Sequence, residues 1–421
     1  MKKLALTILC IVFWGAVWSQ SPLENEAKYW KLRSRLTSEF VYCSGNGMDR
    51  GSHQPLEIRF MPNGLRTGYC IDGIWWQGHY VALLATEYAL LKRQGKDTGP
   101  TLKELHCAID VYKRLDLAAE KCWGCDTFTQ CNGFYLRDDI CLADTSRFGL
   151  QHLSSGYTSN CGRTSTRGNA PSQDQAWGSY LGFALAQKLV DDESLQQEIG
   201  EIAYLMVKGM QFEDESKGER WRIVNPVNGE TIQAEMDIQW LQYAHTLAGE
   251  KLSGRSLGFG KSDKGNWKNL WNIVQDNILI SKYGHFRWYG ILALSAVIND
   301  SGNGNRDCYQ WMLKTCEKIA KRRPDLEQSL IFPHLPLIHA VLYDVDASRL
   351  APRAPYDSYL DAAPVSGAIT TLQDGKTLRT PAPWHSLSLF CPWHNTETGE
   401  SNMIDYMLLY NLVQLVYGDS K

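Results

Sequence analysis

Apolar and polar positions along this chain fall into two helical registers. In one set of windows apolar residues cover nearly every face: Ile74–Leu91, Gln173–Val190, Ala234–Leu252, His285–Ile298, Ile331–Tyr343 and Asn402–Tyr417. A helix apolar all round is a buried one. A second set carries charge on one face and sheds it on the other: Thr101–Lys121, Ser194–Met210, Asn266–Ser281 and Asn305–Arg323, each following a member of the first set. Glu24–Phe40 adds one more amphipathic window, which with Asn402–Tyr417 would close a ring. Strand signals are sparse. Buried helices alternating with half-exposed ones predict an all-α chain, an (α/α)6 toroid of six inner and five or six outer helices. Gly178, Gly182, Ala184, Ala186, Ala293 and Ala296 leave room for close approach of the inner helices. A repeat solenoid is the alternative, but the inner windows start at uneven spacings and show no fixed period.

The N-terminus changes how the rest is read. Residues 1–20 run from Lys2-Lys3 through an apolar stretch, Leu4 to Val17, to Trp18-Ser19-Gln20. That is the pattern of a signal peptide, too short to span a bilayer. Export to the periplasm or medium is expected, with one toroid domain over 21–421. No later stretch suggests a membrane span. The 421 residues are 44% hydrophobic, enough for a large core, so a disordered chain is excluded. Losing Lys2 and Lys3 takes the formal net charge from −3 to −5, which leaves no basic footprint for nucleic acid.

Export also sets the meaning of the cysteines. Eleven follow Cys10, six of them between Cys107 and Cys161, including Cys122-Trp-Gly-Cys125. In a reducing compartment Cys122, Cys125, Cys131 and Cys141 would suggest zinc; in an oxidising one they predict disulfides bracing a long loop. Cys308 and Cys316 sit on one predicted helix, about 12 Å apart along its axis, too far to pair. Asn299–Asp307 has the composition of a calcium loop without its ligand spacing. No metal and no cofactor is expected.

Chemistry concentrates where the inner helices begin. The sequence there reads Asp72-Gly73-Ile74-Trp75-Trp76, then Ser172-Gln173-Asp174-Gln175, then His285-Phe286-Arg287-Trp288, then Trp393-His394-Asn395. If the inner helices are parallel, these residues converge on one face over positive helix ends. The segment Asn132–Asp139 adds Arg137, Asp138 and Asp139, with Phe134 and Tyr135 as anchors inside the cysteine-rich loop. Paired carboxyls beside arginine are the raw material of glycoside hydrolysis, so Asp138, Asp139, Asp174 and Asp72 are the candidate acids and bases. Arg137, Trp75, Trp76, His79, Trp177, His285, Arg287, Trp288, Trp384, Trp393 and His394 are the candidates for holding an oligo- or polysaccharide. Plainer readings stand beside these. Ser172 with Gln175 makes a capping box, Arg137-Asp138-Asp139 a surface turn, and His79 a hydrogen-bonded core residue. Trp75 and Trp76, about 100° apart on a helix, place one ring in the core and one toward the cavity. A polysaccharide lyase using His285, Arg287, Tyr289, His394 and Asn395, and a non-catalytic glycan binder, are the competing functions.

Gln175-Ala-Trp-Gly-Ser-Tyr-Leu-Gly resembles the Gln-Ala-Trp-Gly helix of unsaturated glucuronyl and rhamnogalacturonyl hydrolases. That resemblance implies an (α/α)6 barrel and aspartates that hydrate a vinyl ether. Asp174 stands where that family normally has glycine, and the cysteine-rich loop is foreign to it. Asp72–Tyr80, Gly133–Asp139, Pro171–Gln175 and Asp405–Asn411 together look like a set of exported bacterial helical-toroid proteins, over nearly the whole mature chain. That second resemblance implies fold and compartment without naming a reaction.

Overall fold

A computed structural model describes residues 22–42, 54–60, 66–69, 73–122, 132–138, 152–153, 157–158, 164–165, 172–211, 221, 223–224, 231–233, 239–258, 284–298, 308–320, 333–364, 368–369 and 399–418. The expected signal peptide over 1–20 and the expected outer helix Asn266–Ser281 lie outside them. Within the described residues the chain is helix-rich, as the apolar pattern predicts. The helices are α1 (Pro22–Arg35), α2 (Gly73–Arg93), α3 (Gly99–Cys122), α4 (Gln173–Leu189), α5 (Glu193–Gln211), α6 (Gln239–Ser253), α7 (Gly284–Ile298), α8 (Cys308–Ala320), α9 (His334–Tyr343), α10 (Ala354–Ala362) and α11 (Ile404–Tyr417). The described parts of all six windows that are apolar on every face are mainly helical, and most of their described side chains are buried. The helix α10 has no counterpart in the sequence reading. It is short and buries only Tyr356 and Leu360, too few positions to establish a period.

The direction of each helix follows from which residues meet. Trp75 of α2 lies against Gly178 of α4, Gly78 against Gly178 and Gly182, and Val81 against Gly182, so both run the same way. Asn411 of α11 donates to the Leu83 carbonyl and the Thr86 hydroxyl, and Arg93 reaches the Gln414 carbonyl, so α11 runs parallel to α2. At the other side the C-terminal ends of α6, α7 and α9 meet where Lys251 donates to the Val297 carbonyl and the Tyr343 hydroxyl. The outer helices run back: Gln77 bonds Ala108, Tyr80 bonds Glu104 and Thr101 bonds Glu87, an antiparallel order between α2 and α3. Contacts pass from α2 to α4, α6, α7, α9 and α11, and from α11 back to α2. Helix α4 also packs on α7 and α9.

Glycine makes that crossing close. A Cβ on Gly78 would lie 2.3 Å from the Gly178 carbonyl carbon and oxygen, and one on Gly182 would lie 2.1 Å from the Gly78 oxygen. Gly178 and Gly182 are one turn apart and share a face. A Cβ on Gly290 of α7 would fall 2.3 Å from the Trp177 ring, which occupies that space instead.

Short strands gather where inner helices begin. The strands are β1 (Val41–Tyr42), β2 (Gln54–Pro55), β3 (Glu57–Phe60), β4 (Arg66–Tyr69), β5 (His152–Leu153), β6 (Tyr157–Thr158), β7 (Thr164–Ser165), β8 (Ile223–Val224), β9 (Thr231–Gln233), β10 (Ala368–Ile369) and β11 (Gly399–Glu400), and five of them form one sheet in the order β10-β11-β3-β4-β5. Its pairs are antiparallel except β4 with β5. The strand β4 leads into α2 and β11 into α11, which sets the sheet at the N-terminal ends of both. Strands this short bury too little patterned sequence to announce themselves.

No disulfide joins any two described residues. The described ends of the cysteine-rich stretch are fixed in another way, given below. No helix among the described residues is long and apolar enough to cross a membrane.

Candidate functional site

The segment 132–138 is threaded between α3 and α5. The Asp116 carboxylate of α3 accepts from the backbone N–H of Asn132 (3.0 Å) and of Gly133 (2.8 Å), and Leu136 donates to the Leu115 carbonyl. Asn132 closes an Asx turn by accepting from the Phe134 N–H. Gly133 has φ +90°, and a Cβ there would lie 1.8 Å from the Leu205 carbonyl oxygen of α5, so only glycine serves. Phe134 and Tyr135 are buried, the anchors the sequence suggests. Burial of Asp116 raises its pKa from 3.8 to about 7, against the two N–H donors that lower it.

This segment delivers Arg137 and Asp138 to the start of two inner helices. A Cβ on Gly73, the first residue of α2, would meet the Arg137 carbonyl oxygen at 2.8 Å and the Asp138 Cβ at 3.3 Å. Gln54 of β2 (Gln54–Pro55) donates to the same Arg137 carbonyl. The Arg137 guanidinium donates to the Ser172 hydroxyl at 3.3 Å, at the N-cap of α4. Asp138 is 0% exposed.

Two plainer expectations fail here. Ser172 has extended backbone angles suited to an N-cap, but its side chain makes no cap bond, because Arg137 takes the hydroxyl. Gln175 does not complete a capping box: only its backbone N–H bonds Ser172, while both polar atoms of its side-chain amide are buried without a partner among the described residues. The surface-turn reading of Arg137-Asp138 falls as well, since both residues are buried. Gln175 borders a cavity lined also by Ile74, Phe134, Tyr135, Ser172, Ala176, Met206, Met210 and Ile223.

The aromatic candidates on α2 and α4 lie deeper. Trp75 and Trp177 are each 1% exposed and Trp76 is 4% exposed, so neither ring of the tryptophan pair is left facing open space. Trp75 packs on His79 and Tyr289 with ring centroids 4.8 and 4.9 Å away. The Trp177 indole N–H donates to His245 Nε2, and its ring sits on Gly290. His79 donates from Nδ1 to the Trp75 carbonyl and accepts the Tyr289 hydroxyl at Nε2, both at 2.9 Å. Burial holds the His79 and His245 pKa values down to about 3. The core-histidine reading of His79 is therefore the one the geometry fits, and Tyr289 is its partner.

Asp72, Asp139, Trp384, Trp393 and His394 lie outside the described residues. Asp174 belongs to the first turn of α4, and His285, Arg287 and Trp288 to the first turns of α7, by backbone alone. Asp116 and Gln54 are site residues that pattern reading missed. Asp116 looks like one more charge on an amphipathic helix, and nothing local marks it as the clamp of a distant segment. Among the described residues no group of three His, Cys, Asp or Glu side chains is placed to hold a metal. Comparison with family models, curated proteins and solved structures finds no match for this chain.

Proposed function

We propose that this chain is an exported carbohydrate-active enzyme, a glycoside hydrolase built on an (α/α)6 toroid, with Asp138 as one of its two working carboxyls. The observation that carries the reading is the delivery of Asp138 to the first turn of α2, with Arg137 on the N-cap of α4. The circuit of helix contacts and the shared direction of the inner helices support the toroid. The Lys2-Lys3 pattern and its apolar run support export. Asp72, Asp139 and Asp174, each within two residues of Gly73, Asp138 or Ser172 in the chain, are the candidates for the second carboxyl. One carboxyl would protonate the glycosidic oxygen as the bond to the anomeric carbon breaks. The other would activate water or attack that carbon. Trp75, Trp177 and His79 are left out of the sugar-facing set, because protein occupies their faces. Tyr289 is likewise bound to His79 in the core, which counts against it as the base of a lyase.

The test is turnover by the purified mature protein on a polysaccharide panel, following reducing ends and the absorbance of unsaturated uronate together. New reducing ends without new absorbance, and a loss of about 100-fold or more in Asp138→Asn at an unchanged melting temperature, are expected. Rising absorbance would overturn the reading in favour of elimination. Binding of a glycan without turnover would make the protein a binder.

A further inference from the structure

Gln175 sits in the first turn of α4, is 0% exposed, and has neither amide oxygen nor amide nitrogen bonded to any described residue. Buried polar groups are ordinarily hydrogen-bonded, and one side chain with both its donor and its acceptor unmet needs a reason. Capping is not the reason, since the Ser172 side chain makes no cap bond and the Gln175 amide makes none to Ser172. The amide instead borders a cavity with Ile74, Phe134, Met206, Met210 and Ile223 on its walls. Positions open to the centre of a water-sized atom amount to about 20 Å³, more than a single trapped water uses.

We propose that this cavity receives the N-acyl group of an amino sugar, with Gln175 making paired hydrogen bonds to the secondary amide. The inference rests on the carbohydrate reading above and narrows its substrate class. The chemistry selects an amide for three reasons. Gln175 offers one acceptor and two donors on a planar group, and a secondary amide presents the matching N–H and C=O. A carboxylate has only acceptors, and its charge would be desolvated against apolar walls. A hydroxyl is a single atom and cannot meet both ends of the Gln175 amide at once. The acyl methyl belongs among Phe134, Ile74 and the two methionines, whose thioethers adapt to irregular shapes. Position supports it as well. Phe134 and Tyr135 of the wall belong to the segment that carries Asp138, and Ser172 of the wall holds Arg137. An acyl group seated here presents its sugar ring beside Asp138.

A peptide amide has the same chemistry, so the experiment separates the sources. The mature protein is labelled with ¹³C at methionine methyls, and Met206 and Met210 are assigned by Met206→Leu and Met210→Leu. N-methylacetamide, an oligomer of N-acetylglucosamine, its deacetylated counterpart and a short N-acetylated peptide are titrated in turn. N-methylacetamide and the acetylated oligomer are expected to shift both methyls, while the deacetylated oligomer and the peptide leave them still. Gln175→Leu is expected to abolish those shifts and weaken the acetylated oligomer about tenfold or more. It should leave the melting temperature unchanged or raised, because an unmet buried amide is gone. A melting temperature lowered by several degrees would overturn the proposal, by showing the amide to be structurally bonded. So would methyls that N-methylacetamide fails to move. Saccharide binding that leaves the methyls still, or equal affinity for the deacetylated oligomer, sinks the cavity proposal and spares the carbohydrate reading. If the peptide or N-methylacetamide binds and no saccharide does, the amino-sugar assignment falls together with that reading.

Discussion

Single residues decide whether the site exists. Asp116 is the clearest case, because its carboxylate meets two backbone N–H groups at once and so sets where Arg137 and Asp138 arrive. Asparagine there keeps one acceptor and turns an NH₂ toward a donor. Asp116→Asn is expected to cost about 2 kcal/mol and to speed amide exchange at Gly133 and Leu136, read by hydrogen–deuterium exchange. Sequence inspection found Arg137, Asp138, Phe134 and Tyr135, because acids and aromatics beside cysteines stand out. It misjudged Ser172 and Gln175, whose spacing is that of a cap. The spacing is compatible with a capping box, and only the arrival of Arg137 from another segment decides against it. Asp116 could not be found at all, since its partner lies sixteen residues ahead in a different element.

At the scale of elements, the approach of α2 to α4 is governed by missing side chains. Gly78, Gly178 and Gly182 let the backbones touch, and the contact a Cβ on Gly182 would make is with backbone rather than a movable side chain. Gly182→Ala is therefore expected to destabilise by about 3 kcal/mol or more, despite alanine's better helix propensity, with denaturant titration as the measure. The periodicity predicted these helices and the small residues predicted close packing. Which pair of helices uses the glycines was set by the tertiary arrangement. The strands around β3 and α10 escaped because each is too short for its pattern to rise above the surrounding loop.

Across the whole molecule, buried ionisable groups hold the two ends of the chain together and fix its response to pH. Arg33 of α1 pairs with Glu87 of α2 and Glu104 of α3, each at 2.8 Å, and Tyr29 and Thr101 complete the shell of Glu87. Tyr29 also accepts from Asn411 of α11, so this one network joins the first described helix to the last described one. Burial works against the Arg33 charge, and the two carboxylates overcome it. Arg33→Met leaves Glu87 buried and Glu104 half-buried without their cation and is expected to cost about 3 kcal/mol, read as a lowered melting temperature. Burial depresses His79, His245 and His334 to about 3, 3 and 4. Below their unfolded value of about 6.5 the unfolded chain takes up protons the folded one refuses, so each removes about 1.4 kcal/mol per pH unit. Asp116, raised to about 7, acts the other way: between its unfolded 3.8 and that value the folded state holds the extra proton. The net is a loss of about 3 kcal/mol per pH unit as pH falls from about 6 to 4, against near-constant stability between about pH 7 and 9. Denaturant titrations across that range check the slope, and a flat profile would contradict the buried histidines. The sequence by itself determined the helices and which of them are buried, because an all-apolar helix has no stable place except an interior. The direction of the buried helices, the packing of Trp177 against Gly290 and the seat of Asp138 were decided by tertiary structure. Those depend on contacts between residues far apart in the chain, and no local periodicity records such contacts.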